Sequence, residues 1–340
     1  MFGSELLKQV YQLADEFCVQ SVSPFPPPPP VSGRAAQVAA DLFSNITKVL
    51  RGKPDQTRLA LAGLLSGGHL LIEDVPGVGK TLLAKAIAKS VGGNFKRVQG
   101  TPDLLPADLT GVTVYRRNSE SWDFQPGPLF ANVVLIDEIN RATPRTQSAT
   151  LEAMEERQVS VDGRTHSLPD PFLLIATQNP YEHAGTFPLV EGQRDRFALV
   201  LEIGLPDRDS ERELLAGKGG IEALKHLKPV TDPKTLSAAI DEVGRVPVHN
   251  AVAGYILDIT SATRSHPMIS LGASPRASLS LQRVAQAHAT VVGRTFVAPD
   301  DVKRVAAAVL AHRVILTGGD LRSATALIEE VVDGISVPTG

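Results

Sequence analysis

A glycine-rich segment between an apolar run and a helical run is the feature that most constrains this fold. Asp74 to Thr81 (Asp-Val-Pro-Gly-Val-Gly-Lys-Thr) follows a buried strand predicted at Gly68 to Glu73 and leads into a helix predicted at Thr81 to Ser90. Glycines let backbone N–H groups turn toward a phosphate, a lysine reaches the outer phosphates, and a hydroxyl holds Mg²⁺. The helix adds the positive end of its dipole. The segment therefore predicts a phosphate-binding loop.

The loop departs from the usual G-x-x-x-x-G-K-[ST] pattern at one position. Its first glycine is replaced by Asp74, whereas the two glycines nearest the lysine are kept as Gly77 and Gly79. We predict that Lys80 reaches the β- and γ-phosphates and that Thr81 binds Mg²⁺. The predicted nucleotide-binding residues are Asp74, Val75, Pro76, Gly77, Val78, Gly79, Lys80, Thr81 and Leu82.

Two later apolar runs also end in polar residues. The strand predicted at Asn132 to Ile136 runs into Asp137 and Glu138, and the strand predicted at Phe172 to Ala176 leads to Asn179. The carboxyl ends of parallel strands are where a nucleotide site expects its acids. We predict that Asp137 binds Mg²⁺ through a coordinated water and that Glu138 is the general base for the attacking water. Asn179 would orient that water or contact the γ-phosphate.

The pattern of apolar residues divides the chain into three regions. In residues 1–33 the sequence predicts a short amphipathic helix, followed by a polyproline segment that is interpreted as a stiff linker or alternatively as a docking motif. Residues 34–205 alternate helices with short apolar strands, which predicts an α/β fold with a parallel sheet. Residues 206–340 carry helical periodicity only, which predicts an all-helical second domain.

Composition argues against several classes of protein. The net charge of −3 disfavours nucleic acid as the main partner without excluding it. Cys18 is the only cysteine, so no intramolecular disulfide can form, and no apolar run approaches the ~18 residues of a membrane span. We therefore expect a cytoplasmic protein. The histidines show no zinc-ligand spacing, and no Gly-x-Ser-x-Gly nucleophile motif is present.

The motifs together resemble the MoxR family of AAA+ ATPases, from about Ala35 to Thr317. This resemblance implies an AAA+ P-loop NTPase core with a parallel sheet, followed by an all-helical lid domain, with ATP and Mg²⁺ as cofactors. The segments that carry it are Leu71 to Thr81, Gly127 to Phe130, Asp137 to Ala142, Thr146 to Gln158, Ala176 to Pro180, Asp195 to Phe197 and Gly272 to Ser278.

The resemblance also implies catalytic arginines and a ring. Arg196, with Arg194 as the alternative, is the expected finger that reaches the γ-phosphate of a neighbouring subunit. Arg276, at a predicted helix start, is the expected second sensor, acting on its own nucleotide or on a neighbour's. An arginine acting in trans requires head-to-tail contacts, so we expect a closed homo-hexameric ring.

Two insertions are predicted as hairpins, from Thr110 to Phe124 and from Gln158 to His166. In related ATPases such hairpins stand above the sheet or line a pore; the alternative is surface decoration. The resemblance implies Mg²⁺-dependent ATP hydrolysis that remodels a protein client, with a von Willebrand factor A domain protein as partner. The alternatives are the ATPase subunit of a metal chelatase, a nucleic-acid motor, and a scaffold that binds ATP without turnover.

Overall fold

The computed structural model describes residues 33–180, 185–318 and 321–338, with the side chains of residues 321 and 322 left out. The predicted N-terminal helix (Ser4 to Gln20) and polyproline segment (Pro24 to Pro30) lie outside the described residues.

A five-stranded parallel sheet forms the centre of the α/β region, in the order β2-β5-β8-β1-β9. Strands β1 and β5 are buried along their whole length, because their apolar runs are covered on both faces. The prediction of a parallel sheet is confirmed. The strands are β1 (His69–Glu73), β2 (Phe95–Gln99), β5 (Val133–Asp137), β8 (Leu173–Gln178) and β9 (Phe197–Leu201).

Helices cover both faces of this sheet. Successive residues of β1 point to opposite faces, so Leu70 and Ile72 join one apolar cluster while Leu71 joins the other. The first cluster lies under α1 (Arg34–Ile46), α2 (Pro54–Leu65) and α3 (Lys80–Val91), and the second under α5 (Pro144–Glu156). Two short helices, α4 (Pro106–Thr110) and α6 (Glu191–Arg194), and a 3₁₀ turn (Ile139–Arg141) complete the α/β region.

Both insertions form the predicted hairpins. Strands β3 (Gly111–Arg116) and β4 (Ser121–Pro126) pair antiparallel, as do β6 (Gln158–Val161) and β7 (Arg164–Ser167). The second hairpin turns at Asp162 and Gly163, which both have positive φ, as a tight primed turn requires. On the first hairpin the rings of Tyr115 and Trp122 pack 5.3 Å apart, and Trp122 is 69% exposed.

The region after Pro206 is helical, as predicted. Its helices are α7 (Arg208–Leu215), α8 (Gly220–His226), α9 (Pro233–Val243), α10 (Asn250–Ser265), α11 (Pro275–Val291), α12 (Pro299–Leu310) and α13 (Leu321–Gly334), with a 3₁₀ turn at Ala311–Arg313. One feature of this region was not predicted from the sequence. Two short strands, β10 (Ile269–Leu271) and β11 (Ile315–Leu316), pair antiparallel and join the end of α10 to the segment before α13.

Side-chain caps fix where several of these helices begin. Asp207, Asp232 and Ser274 each accept a hydrogen bond from the backbone N–H three residues later, at 2.8, 3.0 and 3.2 Å. Proline follows the cap in α9 and α11, where its missing N–H has no helical partner to lose.

The helical region and the α/β region share a continuous apolar core. The cluster that contains Leu42 of α1, Leu61 of α2 and Leu70 of β1 continues into Leu236 of α9 and Leu281 of α11. Helix α2 packs along α11, and α1 packs against α9. The helical region is therefore held mainly by the two helices that precede the phosphate-binding loop.

Candidate functional site

The phosphate-binding loop joins β1 to the first turn of α3. Gly77 and Gly79 have φ of +89° and +103°, values that residues with a Cβ rarely adopt. Gly79 is also the N-cap of α3, and Lys80 is the first helical residue. The loop thus places free backbone N–H groups and the positive end of the helix dipole at one point, which is an anion-binding arrangement.

The side chain of Lys80 lies against the carbonyls of its own loop and of β8. Its Nζ donates to Asp74 O at 2.6 Å and to Gln178 O at 3.3 Å. Partial burial lowers the pKa of Lys80, and the nearby carboxylates of Asp74, Asp137 and Glu138 oppose that shift. The ammonium group therefore lies where the carboxyl ends of β1, β5 and β8 meet. At this point the oxygens of a bound phosphate can replace its carbonyl acceptors.

Asp74, the departure from the usual loop pattern, braces the loop. Its Oδ2 accepts from the backbone N–H groups of Ile203 and Gly204 at 2.8 and 2.7 Å. Its Oδ1 accepts from Val75 N at 2.7 Å. The carboxylate thus ties the start of the phosphate-binding loop to the segment that leads from β9 into the helical region. Sequence reasoning assigned Asp74 to nucleotide binding and did not predict this contact.

Asp137 and Glu138 lie at the carboxyl end of β5, as predicted. Asp137 is 6% exposed. Its Oδ1 accepts from Thr177 Oγ1 at 3.3 Å, and Thr177 Oγ1 in turn accepts from Glu138 N at 3.0 Å. Glu138 has φ of +55°, and its Oε2 accepts from Gln99 Nε2 at 2.9 Å and from Arg141 Nη1 at 3.2 Å. Thr177 therefore fixes the relative position of the two acids.

The side chains of Thr81 and Asp137 face each other. Thr81 Oγ1 lies 3.5 Å from both carboxylate oxygens of Asp137. A hydroxyl and a carboxylate are hard oxygen donors, which suit Mg²⁺ when phosphate oxygens and waters supply the other positions. Arg97 Nε on β2 lies 2.6 Å from Asp137 Oδ2, so a cation already neutralises this carboxylate. The donor set fits the predicted metal, and Arg97 is a neighbour that the motifs did not predict.

A cavity of about 480 Å³ opens beside the phosphate-binding loop. One part of its lining is Gly77 to Leu82. A second part, called here the apolar end, comes from segments far apart in sequence and includes the side chains of Val49, Leu50, Leu214, Ile221 and Leu224; the basic residues Arg51, Lys53 and Lys85 also line the cavity. A polar phosphate end joined to an apolar end suits a nucleotide, whose base is flat and weakly polar. Sequence reasoning missed the apolar end because these residues carry no motif.

Asn179 directly follows β8. The residue before it, Gln178, accepts from Lys80 Nζ and from Asp74 N, at 3.3 Å in each case. The Gln178 side chain also donates to Glu73 at the end of β1. The third predicted strand end therefore lies next to the phosphate-binding loop.

Arg196 and Arg276 lie together, at the opposite end of the sheet. Arg196 precedes β9, whose first residue, Phe197, pairs with His69 at the start of β1. Arg196 Nε and Arg276 Nη2 contact the two carboxylate oxygens of Glu155 at 2.8 and 3.1 Å. The Arg196 side chain lowers the pKa of Glu155, with Arg276 adding to the shift. Because β1 has five residues, about 15 Å of strand separates these arginines from the phosphate-binding loop.

Arg194, the alternative finger, has a different environment. Its Nη2 lies 3.4 Å from Oε1 of Glu73, a carboxylate that is 3% exposed. Burial raises the pKa of Glu73, and Arg194 opposes that shift. Arg194 and Arg196 are therefore each paired with an acid of their own subunit, but the partner of Arg194 is buried whereas Glu155, the partner of Arg196, is 35% exposed.

Comparison with known proteins defines the class. Residues 69–199 match the ATPase family associated with various cellular activities (AAA), and residues 261–332 match the AAA lid domain. A crystal structure of a candidate ATPase from Cytophaga hutchinsonii superposes with a TM-score of 0.80 at 34% identity, covering 89% of this chain and 96% of that one. Together with the strand-end site, these matches make the protein an AAA+ ATPase, which binds and hydrolyses ATP.

Full-length relatives define the family within that class. The chain is 39% identical to chaperone MoxR1 of Mycobacterium tuberculosis, over 94% of this chain and 88% of that protein. It is 43% identical to an uncharacterized Bacillus subtilis protein, YeaC, over 91% of this chain and 95% of the other. The chain belongs to the MoxR family of AAA+ ATPases. Within residues 33–180, 185–318 and 321–338, no helix combines the length and the apolar character needed to cross a membrane.

Proposed function

We propose that ATP hydrolysis occurs at a site completed by a neighbouring subunit. The observation that carries this proposal is the position of Arg196 and Arg276 at the end of the sheet opposite the phosphate-binding loop. Within one subunit these side chains lie too far away to contact the phosphates that Lys80 binds. A head-to-tail arrangement would bring one subunit's arginines to the next subunit's loop. A closed ring, for which six subunits is our proposal, completes every site.

Each predicted residue has a defined task in this proposal. The N–H groups of the loop and Lys80 bind the phosphates, and Thr81 and Asp137 hold Mg²⁺, which would offset charge on the phosphate oxygens. Glu138 accepts a proton from the attacking water, which Asn179 helps to orient. Arg196 and Arg276 of the neighbour offset charge that develops on the γ-phosphate. To do so they leave Glu155, the carboxylate that both contact in the isolated subunit.

The test is ATP hydrolysis measured against protein concentration for the wild type, Glu138→Gln and Arg196→Ala. Specific activity should rise with concentration, because the site needs two subunits. Glu138→Gln should lower kcat by about 10²- to 10⁴-fold and Arg196→Ala by about 10³-fold. Both variants should still bind a fluorescent ATP analogue.

The matched control is Arg304→Ala, which removes an arginine in an exposed ion pair with Asp55. Exposed pairs of this kind contribute about 0–1 kcal/mol to stability, so activity should stay near that of the wild type. A specific activity that is independent of concentration, together with an active Arg196→Ala variant, would rule out the composite site.

We further propose that hydrolysis remodels a protein client, in partnership with a von Willebrand factor A domain protein. Support comes from the relative named chaperone MoxR1 and from the exposed Tyr115–Trp122 pair on the β3–β4 hairpin. The same hairpin does not favour nucleic acid, because Arg116 is paired with Asp123 at 2.6 Å. The test adds a purified partner of this class and measures co-elution and the ATPase rate. Trp122→Ala should weaken the stimulation of the ATPase rate by this partner without changing the basal rate.

A further inference from the structure

Arg313 is a buried arginine of the helical region that has no place in the nucleotide site. It ends the 3₁₀ turn Ala311–Arg313, after α12, and its side chain is 2% exposed. A fully buried guanidinium is costly unless each of its donors finds an acceptor. The acceptors of Arg313 lie on both sides of Arg196.

The guanidinium contacts the backbone that carries Arg196. Its Nε donates to Asp195 Oδ1 at 2.8 Å, and its Nη2 donates to Asp195 O at 3.1 Å and Phe197 O at 2.6 Å. Nη1 donates to Ala198 O at 3.1 Å. The carbonyls immediately before and after Arg196 are therefore bound by one rigid, planar group. The same guanidinium reaches Val309 O at 2.5 Å and Ser280 Oγ at 3.3 Å, both in the helical region.

The bound segment lies where the sheet is least regular. The pairing of β1 with β9 shifts register between His69 and Leu70, next to Phe197. A shifted ladder leaves local backbone groups without regular strand partners. The guanidinium of Arg313 supplies hydrogen bonds at that point, so the helical region helps to determine how the chain enters β9, in addition to the pairing of Phe197 with His69.

Asp195 links Arg276 to Arg313. Its Oδ1 accepts from Arg313, and its Oδ2 lies 3.9 Å from Arg276 Nε. The side chain of Arg196 is held elsewhere, by Glu155 and by Gly192 O, at 2.8 and 2.7 Å. The influence of Arg313 on Arg196 therefore acts through the backbone.

We propose that Arg313 is a positioning residue: it fixes the Asp195–Phe197 backbone so that Arg196 projects toward the neighbouring subunit's nucleotide. The inference rests on the proposed function, in which Arg196 acts in trans. It adds that the helical region of a subunit controls the arginine which that subunit offers to its neighbour. A displacement of the helical region would then change the rate of ATP hydrolysis at the neighbouring subunit's site rather than at the site of its own subunit.

The experiment uses full-length Arg313→Lys, because lysine keeps the charge and loses the fork of donors that binds two carbonyls at once. We expect the ATPase rate to fall by about 10- to 100-fold, as for a misplaced catalytic group. Binding of the fluorescent ATP analogue should change less than about twofold, because the variant's own cavity is intact. The matched control is Arg283→Lys. Arg283 lines the same surface pocket as Arg196 and Arg313, but it donates to Ser66 O and Ile240 O. The Arg283→Lys variant should therefore keep the wild-type rate.

Mixing variants separates a positioning role from a merely structural one. Arg313→Lys subunits keep an intact nucleotide site, and Glu138→Gln subunits keep an intact finger. In random equal mixtures about one quarter of the interfaces combine the two intact halves, so activity should recover to about one quarter of wild type. Arg196→Ala mixed with Glu138→Gln should recover equally.

Each outcome decides between the proposals. Recovery in both mixtures supports the positioning role. Recovery with Arg196→Ala but not with Arg313→Lys overturns it and leaves the composite site standing, whereas recovery in neither overturns the composite site itself. An unchanged rate for Arg313→Lys also overturns the inference. If Arg313→Lys does not fold, Asp195→Asn, which removes the charged partner of Nε, goes through the same mixtures and the same criteria.

Discussion

At the scale of single residues, several side chains of the site hold its backbone in place through hydrogen bonds. Asp74 accepts three backbone N–H groups, and Thr177 connects the two acids of β5. The motif identified the loop correctly from its two later glycines and its lysine. It could not indicate what Asp74 contacts, because Ile203 and Gly204 lie about 130 residues away in sequence.

Replacing Asp74 with glycine restores the usual loop pattern and should nevertheless destabilise the protein. The change removes a charged acceptor from two partly buried N–H groups, and such bonds contribute about 1.5–3 kcal/mol each. We expect the free energy of unfolding to fall by about 3–6 kcal/mol, measured by urea denaturation. Asp74→Asn, which keeps an acceptor oxygen, is the matched control and should lose less. A glycine variant as stable as the wild type would contradict the bracing role.

At the scale of elements, the strands of the central sheet that carry the chemistry were predicted to within two residues of their ends, whereas β2 and β9 were not predicted. Strands β1, β5 and β8 are continuous apolar runs that end in polar residues, so position and role are both visible. Strand β2 (Phe-Lys-Arg-Val-Gln) lies at an edge and is partly exposed, so its sequence lacks such a run. The apolar end of the cavity comes from three separate segments, and only folding brings Val49, Leu214 and Ile221 together.

His69 joins β1 to β8 and to the end of α5, and it should make stability depend on pH. Its Nδ1 accepts from Leu174 N at 3.0 Å, which leaves Nε2, 3.1 Å from Met154 O, as the donor of a neutral ring. Burial, with help from Arg157, lowers the pKa of His69 to about 3. The unfolded chain binds a proton near pH 6.5, so this histidine's contribution is complete above that pH and falls as the pH decreases toward 3.

Between pH 7 and pH 5 the loss from His69 should be about 2 kcal/mol, measured as the free energy of unfolding in urea. The matched variant is His69→Gln, whose amide can accept from Leu174 N and donate to Met154 O without titrating. Its stability should fall by about 2 kcal/mol less over the same interval. Equal pH dependence in the two proteins would contradict this account. His312, whose pKa is also lowered by burial, contributes to both and cancels in the comparison.

At the scale of the whole molecule, the shared core unites the α/β region and the helical region in a single folding unit. Leu42, Leu61 and Leu281 are fully buried in a cluster that runs through both regions. We expect one calorimetric unfolding transition rather than two. Leu42→Ala should lower the free energy of unfolding by about 2–5 kcal/mol and move that single transition as a whole to lower temperature. Two separate transitions, with only one of them shifted by Leu42→Ala, would show that the regions fold independently.

In the proposed mechanism, the distance between the phosphate-binding loop and Arg196 also sets how many active sites an assembly can contain. Because the phosphate-binding loop and Arg196 lie at opposite ends of β1 and β9, each subunit would receive its neighbour's arginine at one end and offer its own arginine at the other. A two-fold symmetric dimer uses the same surface patch of both subunits, so it completes a site only if that one patch contains both the phosphate-binding loop and Arg196. An open head-to-tail row always has one subunit that lacks an arginine donor. The number of complete sites per subunit therefore rises with the length of the row. Closing the row into a ring supplies that last donor, so that every subunit then has a complete active site.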